Sequence, residues 1–203
     1  MDNHLKGVIN SVHILPFYPY SSDDGFSVVD YKEVDPHMGS WREVEHLSAD
    51  YRIMVDGVIN HISQFSSWFK AYLAGDKEYD DYFIELDPTT DLSKVVRPRA
   101  SPLLHEYLDD DGKIHNIWTT FSKDQVDLNY KSYTVLCSVL DAMFYYIEKG
   151  ATLIRLDAIA FIWKEIGTQC VHLPQTHELI QLMRDVLHEV APEVIIITET
   201  NVP

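Results

Sequence analysis

The sequence is poor in cysteine, in basic residues and in long apolar runs, and each shortage excludes a class of protein. Its 203 residues include two cysteines, Cys137 and Cys170, too few and too widely separated for a disulfide framework or a cysteine-based zinc site. It has 16 Lys and Arg against 32 Asp and Glu, a formal charge of −16, whereas nucleic-acid and anionic-membrane surfaces need clustered cations. No signal peptide or bilayer-length apolar run is visible. We therefore expect a cytoplasmic protein with no nucleic-acid or membrane partner.

Short apolar runs alternate with amphipathic segments along most of the chain. The predicted strands cover residues 8–15, 52–59 and 151–157, and a last strand starts at Val194. The predicted helices cover residues 41–49, 67–73, 133–147 and 176–190. The final run of Val and Ile is typical of a strand buried on both faces of a parallel sheet. This alternation indicates an α/β fold, either a barrel or a doubly wound sheet.

Residues 76–130 break the alternation. Two apolar stretches, one ending at Leu108 and one running from Ile114 to Trp118, flank an acidic turn with Gly112 and predict a β-hairpin. We expect an inserted subdomain over 76–130, between two parts of one larger domain over 1–75 and 131–203. Because natural domains seldom finish on a buried strand, we also expect the chain to be a piece of that domain.

Two acidic residues follow predicted parallel strands, Asp157 after residues 151–156 and Glu199 after the last apolar run. The carboxyl ends of parallel strands meet at one edge, where α/β folds place their active sites. Neighbouring strands lie about 4.8 Å apart, so the carboxyl groups would be roughly 5–5.5 Å apart, as in retaining glycosidases. Asp157 and Glu199 are therefore the predicted pair of catalytic carboxyl groups.

Two further polar residues accompany this pair. Arg155 points to the same side of its strand as Asp157, so its charge would keep that carboxylate ionised and oriented. Glu199 would need a drier setting and a raised pKa in order to hold a proton. His61 follows residues 52–59 and could donate to a sugar hydroxyl. Each residue alone would be read as a polar group at a sheet rim, and their joint occurrence favours a site.

Four segments carry a specific resemblance. Residues 56–61, 154–158, 197–199 and 125–129 resemble signatures of the α-amylase superfamily, glycoside hydrolase family 13. The resemblance implies a (β/α)8 TIM barrel, of which this chain would span about strands 2 to 5, with the small subdomain inserted after the third strand. It implies that Asp157 is the nucleophile, Glu199 the acid/base, Arg155 the orienting partner and His61 a glucosyl-binding residue.

Other residues resemble the sucrose phosphorylase branch, and the pattern is closer to its glucosylglycerate phosphorylases. The cues are Asp23 and Phe26, the turn with Arg97 and Arg99, and residues 125–127 and 164–168. The branch implies that Asp23 and Phe26 hold the glucosyl ring and that Arg99, with Arg97 in the same turn, helps to bind phosphate. It implies a retaining α-glucoside phosphorylase that uses an α-glucoside and inorganic phosphate, with no organic cofactor and no metal.

Alternatives stay open. The same acids would serve a retaining hydrolase or a transglucosidase, and a homodimer is a further open point. The chain could also be a catalytically silent sugar-binding fragment, because the third acid of the family, in a later His-Asp motif, is not in this sequence. Without that acid the transition state would lose stabilisation, so we expect the 203 residues alone to be inactive or nearly so.

Overall fold

The computed structural model describes residue 4 and residues 7–200. The larger domain was predicted to begin at residue 1 and to end at residue 203. Residues 1–3 and 201–203 lie outside the described residues. The elements in chain order are β1 (Ser11–Ile14), α1 (Trp41–Ser48), β2 (Arg52–Gly57), β3 (His61–Ser63), α2 (Ser67–Leu73), β4 (Leu104–Leu108), β5 (Ile114–Trp118), β6 (Gln125–Asp127), α3 (Tyr133–Glu148), β7 (Ala151–Leu156), α4 (Pro174–Val190) and β8 (Ile195–Thr198). No helix in this described part is long and apolar enough to cross a membrane.

The centre of the fold is a four-stranded parallel sheet in the order β1-β2-β7-β8. The predicted α/β alternation with parallel strands is confirmed. The two central strands are the most buried, and Ile53, Val55, Ile154 and Leu156 have no exposed surface. Helix α3 packs on β7 and α1 on β2, so that one continuous apolar core holds the sheet and its helices.

Local signals in the sequence fix several helix ends. Ser40 caps α1, its backbone N–H lies 2.9 Å from Glu43 Oε2, and the reciprocal capping box is complete as predicted. Helix α4 begins at Pro174 rather than at residue 176, because proline suits the first helical turn, where its missing N–H has no intrahelical partner. Gly150 follows the end of α3 and has a φ of 97°, a backbone conformation that a residue with a side chain adopts only with strain.

The last strand differs from its prediction. Ile195 and Ile197 are 44% and 39% exposed, so burial of β8 on both faces was a wrong expectation for the described structure. Within residues 7–200, β8 pairs with β7 alone and forms an edge of the sheet. Strand β1 is the other edge and is shorter than the predicted 8–15. The apolar run therefore predicted the strand correctly but not how many neighbours it has.

The segment between α2 and α3 contains the antiparallel pair β4–β5 and the short strand β6, which pairs with β3 from the chain before α2. The predicted hairpin is confirmed, with Leu104 to Leu108 of β4 registered against Trp118 to Ile114 of β5. A second pair, β3 with β6, was not predicted, because three-residue strands show too little alternation to be recognised. Phe83, Tyr107 and Ile117 belong to the same apolar core as the sheet. The boundaries 76–130 stay a prediction, since the segment and the sheet share their packing.

Candidate active site

The two predicted catalytic carboxyl groups meet at the carboxyl edge of the sheet. The Asp157 backbone N–H donates to Gly57 O at 3.0 Å, and that of Glu199 donates to Leu156 O at 3.0 Å. Each residue therefore extends the ladder one step beyond its strand. Ala158 turns the chain with a φ of 52°, and its N–H donates to Glu199 Oε2 at 3.2 Å. Backbone pairing thus brings Asp157 and Glu199 side by side.

Arg155 links these carboxyl groups to a third one. Its Nη1 lies 2.5 Å from Asp56 Oδ1 and 3.2 Å from Asp157 Oδ1, and its Nη2 lies 3.3 Å from Glu199 Oε1. Asp56 is fully buried, and its second oxygen lies 2.8 Å from His13 Nε2. Asp56 therefore holds the guanidinium of Arg155 in place, and the same guanidinium contacts both predicted catalytic acids. The contribution of His13 was missed, because nothing in its local sequence marks it.

The two acids differ in burial in the direction opposite to the one predicted. The Asp157 side chain is 12% exposed and that of Glu199 is 43% exposed. Burial, followed by the negative charge of Glu199, raises the pKa of Asp157 to about 7 despite the opposing charge of Arg155. The expectation that Glu199 has the drier setting is therefore wrong for the described structure, whereas the charge of Arg155 acts in the predicted direction and lowers the pKa of Asp157. Asp157 follows a central strand and Glu199 an edge strand, which accounts for the difference.

A cavity of about 360 Å³ opens above this pair, a size that suits a small ligand. Its lining includes Asp23, Phe26, His61, Arg99, Phe121, Gln125, Arg155, Asp157 and Glu199. The structure therefore brings seven of the eight predicted site residues to one cavity. Phe121 and Gln125 join them, and of these two only Gln125 lay in a segment that the sequence had marked. The arrangement offers an acid pair, a cation and an aromatic wall around one space.

The Asp23 turn depends on a glycine. Gly25 has a φ of 104°, and a Cβ placed there would lie 2.8 Å from Pro16 O. Only glycine fits this approach without a shift of the backbone. Asp23 Oδ2 accepts a hydrogen bond from Gln125 Nε2 at 2.9 Å, which ties the turn to β6. The positions of Asp23 and Phe26 are therefore set by the close approach of Gly25 to Pro16 and by contacts with Gln125, another residue of the lining.

His61 lines the cavity and is 1% exposed. Its Nε2 lies 2.9 Å from Phe26 O, and its Nδ1 lies 3.2 Å from Asn60 Nδ2. A neutral ring that donates from Nε2 and accepts at Nδ1 satisfies both contacts, and burial lowers its pKa in agreement with this. His61 thus holds the backbone of Phe26 in place, and its predicted contact with a sugar hydroxyl stays a prediction.

A buried ion pair lies behind His61. Lys164 Nζ is 2.6 Å from Asp127 Oδ2 and 3.0 Å from Asn60 Oδ1. Asp127 also accepts from the Thr120 backbone N–H and hydroxyl, each at 2.6 Å. Lys164 and Asp127 are almost fully buried, where charges are stable only when paired. This network joins the turn between β2 and β3, strand β6 and the loop after β7, and sequence reasoning did not predict it.

The two arginines of the predicted phosphate turn take different positions. Arg99 is exposed, lines the cavity, and makes no hydrogen bond or ion pair with the residues that the structure describes. Arg97 instead donates from Nη2 to Ala100 O at 2.7 Å, and it is not among the residues that line the cavity. The structure therefore gives Arg97 a role in holding the turn, while Arg99 is left available for an anion.

A metal site would need several ligating side chains close together. Across residue 4 and residues 7–200, no group of three or more His, Cys, Asp or Glu side chains is arranged to hold a metal ion. The acids at the cavity contact Arg155 instead, so that a guanidinium supplies the positive charge there.

Comparisons with known proteins indicate the family of this chain. A family model described as "Alpha amylase, catalytic domain" matches residues 4–203. The chain is 55% identical over 200 residues to a glucosylglycerate phosphorylase of Spirochaeta thermophila, covering 98% of this chain and 34% of that protein. It is 50% identical over 199 residues to a glucosylglycerate phosphorylase of Escherichia coli K12, covering 98% and 36%. The chain thus spans about a third of the length of these curated relatives.

A solved structure extends the comparison to the backbone. The crystal structure of sucrose 6F-phosphate phosphorylase from Thermoanaerobacter thermosaccharolyticum superposes with a TM-score of 0.91 at 28% identity, covering 98% of this chain and 43% of that chain. The family match over nearly the whole sequence and the backbone agreement lead to one conclusion. The chain belongs to the alpha-amylase catalytic domain family.

Proposed function

We propose that this chain supplies the acid pair of a retaining α-glucoside phosphorylase with glucosylglycerate as its α-glucoside. The observation that carries the proposal is the cluster of Arg155, Asp157 and Glu199 at a cavity that Arg99 also lines, with no partner for Arg99 among the described residues. The names of relatives at 50–55% identity support the phosphorylase class. By that class, the fold would be part of a (β/α)8 barrel, with the segment after α2 as an inserted subdomain.

In the proposed first step, Asp157 Oδ attacks the anomeric carbon of the bound glucoside. The bond from that carbon to the leaving oxygen breaks, and Glu199 transfers its proton to this oxygen. The products are a glucosyl ester on Asp157 and the free acceptor. Arg155 touches both acids, so it would stabilise the charge that moves from one to the other.

In the second step a phosphate oxygen attacks the same carbon and the ester bond to Asp157 breaks. Glu199 takes the proton that the phosphate loses, which restores the starting protonation. Two inversions give net retention and release α-glucose 1-phosphate. In an acidic protein an incoming phosphate needs a local cation, and Arg99 is placed for a bidentate contact.

The raised pKa of Asp157 adds a requirement to this mechanism. Burial and the charge of Glu199 raise the pKa of Asp157, which favours its protonated form, whereas the nucleophile must be ionised. We infer that the substrate moves the proton to Glu199 when it covers that more exposed side chain.

The experiment that tests the proposal uses the gene product that contains this chain. The Arg99→Ala variant should lose phosphate-dependent release of glucose 1-phosphate by about 10²-fold, since one charge-assisted bidentate contact is worth roughly 3 kcal/mol. Glucosyl transfer to water should persist in the same variant. A hydrolase or transglucosidase, the alternative reading, would show equal activity in wild type and variant with and without phosphate.

A further inference from the structure

A second cavity of about 420 Å³ adjoins the first one on the open side of Glu199. The two cavities share Arg99, Phe121, Ala158 and Glu199. The second is completed by Phe161, Val171 and His172 among others. Because Glu199 faces both spaces, the second cavity lies where a leaving group protonated by Glu199 would sit. This placement rests on the proposed function.

His172 and Arg99 give this cavity an anion-binding character. The imidazole of His172 is half-buried, and its ring nitrogens have no hydrogen-bond partner among the residues that the structure describes. Its ring lies parallel to that of His177, with the centroids 6.3 Å apart and an angle of 13° between the planes. Glu199 is the single acidic side chain in the described lining. His172 and Arg99, whose side chains have no hydrogen-bond partner within the described part of the chain, thus both line a cavity whose one described acid already has a role.

The backbone holds these two donors in fixed relation. The Val96 backbone N–H donates to Gln169 O at 2.9 Å, which ties the turn of Arg99 to the loop of His172. The His172 backbone N–H donates to Ala160 O at 2.9 Å. Both Cys170 and His172 have a φ of 51°, a left-handed conformation that residues with side chains rarely adopt. Such strain persists only where surrounding contacts impose it, and it is concentrated at functional sites.

We propose that His172, together with Arg99, binds the carboxylate of the acceptor and so selects a small hydroxy acid over a neutral polyol. A protein with a formal charge of −16 repels an anion unless cationic or N–H donors are placed locally. Phe161 and Val171 give an apolar wall for the carbon skeleton. His172 is a specificity-determining residue, because it contacts the part of the acceptor that distinguishes glycerate from glycerol.

The test uses the full gene product in the synthetic direction, with glucose 1-phosphate as donor. The measured quantity is the ratio of kcat/KM for glycerate to kcat/KM for glycerol, which lacks the carboxylate. The His172→Phe variant keeps a flat ring beside His177 but has no donor, so the ratio should fall about 10- to 100-fold, as for a lost hydrogen bond to a charged group. His188→Phe, which removes an exposed histidine of α4, should leave the ratio unchanged.

A second variant controls for misfolding of the first one. His172→Gly suits the left-handed backbone and removes the ring, so it should fold and lower the ratio to the same extent. An unchanged ratio, or an equal loss for both acceptors, in either folded variant would overturn the inference.

A separate measurement isolates the proposed function from this inference. Exchange of labelled phosphate into glucose 1-phosphate by the wild type needs no acceptor. Absence of this exchange would count against the phosphorylase itself. Exchange by the wild type, combined with a ratio that His172 does not influence, would count against the role of His172 alone.

Discussion

The Arg155 guanidinium makes its shortest contact with Asp56, at 2.5 Å from Nη1 to Oδ1. Its contacts with Asp157 and Glu199, at 3.2 and 3.3 Å, are longer. The cation that faces the proposed catalytic pair is therefore anchored by a buried carboxylate on the neighbouring strand. In the sheet register Asp56 lies directly beside Arg155, so strand pairing alone places the anchor.

This anchor predicts a stability cost for Asp56→Asn. The substitution removes the buried charge and leaves Arg155 with weaker partners, so the free energy of unfolding should fall by roughly 2–4 kcal/mol. Urea denaturation measures it. Asp141→Asn is the matched control, since Asp141 pairs with Lys32 at the exposed surface and should cost less than about 1 kcal/mol. Equal losses for the two variants would contradict the anchoring role.

The ion pair between Lys164 and Asp127 predicts a loss that a second substitution offsets in part. Lys164→Met leaves Asp127 buried without its cation and should cost about 3–5 kcal/mol. Adding Asp127→Asn removes the orphaned charge, so the double variant should lose less than the sum of the single losses. Lys131→Met, at an exposed pair with Glu165, is the control and should be nearly neutral. Strict additivity of the two buried changes would argue against direct coupling.

The raised pKa of Asp157 predicts a pH dependence with a definite sign. Between its ordinary pKa of 3.8 and about 7, the folded state binds more protons at Asp157 than the unfolded state. This contribution to stability is therefore complete at low pH and is lost as the pH rises through 7. Asp157→Asn removes the ionisable group, so the variant should gain stability over wild type at pH 8 and gain less at pH 5. Chemical denaturation at both values measures the difference.

Two outcomes would contradict that prediction. One is a variant that is less stable than wild type at pH 8. The other is a difference between variant and wild type that stays constant with pH. The quantity to compare is the difference in free energy of unfolding between variant and wild type at each pH. Other carboxyl groups, such as those of Glu85 and Asp124, have lowered pKa values and make the wild type itself depend on pH with the opposite sign.

The close approach at Gly25 predicts that alanine is poorly tolerated there. An alanine Cβ would meet Pro16 O at 2.8 Å in addition to the strain of a positive φ, so Gly25→Ala should cost about 2–4 kcal/mol. Gly75→Ala shares the positive φ but has no atom within 4 Å of the added Cβ, and should cost only about 1–2 kcal/mol. Urea denaturation of both variants gives the excess due to the contact. Equal losses of stability for the two variants would show that the backbone of the Asp23 turn shifts to accommodate the added Cβ without a free-energy penalty.

Local patterns predicted the elements of this fold better than their surroundings. Ser40 and Glu43 fixed the start of α1, because a capping box acts within four residues. The exposure of β8 and the pairing of β3 with β6 depend on which distant segments pack against these strands. The sequence of a single strand does not indicate its neighbours.

The candidate site shows the same division. The position of Asp157 and Glu199 followed from strand ends, but their order of burial depended on which strand is central. Lys164 and Asp127 are 37 positions apart in the sequence, and no local pattern predicts that they pair. The contact of His13 with Asp56 was missed for the same reason.

Trapping of the glucosyl enzyme tests the central claim most directly. The Glu199→Ala variant of the gene product, supplied with α-glucosyl fluoride, needs no acid to expel its leaving group but lacks the base for the second step. Digestion and mass spectrometry should then find one glucosyl group on the peptide that contains Asp157, and added azide should release it. A glucosyl group on another residue, or turnover by an Asp157→Ala variant at the wild-type rate, would contradict the account.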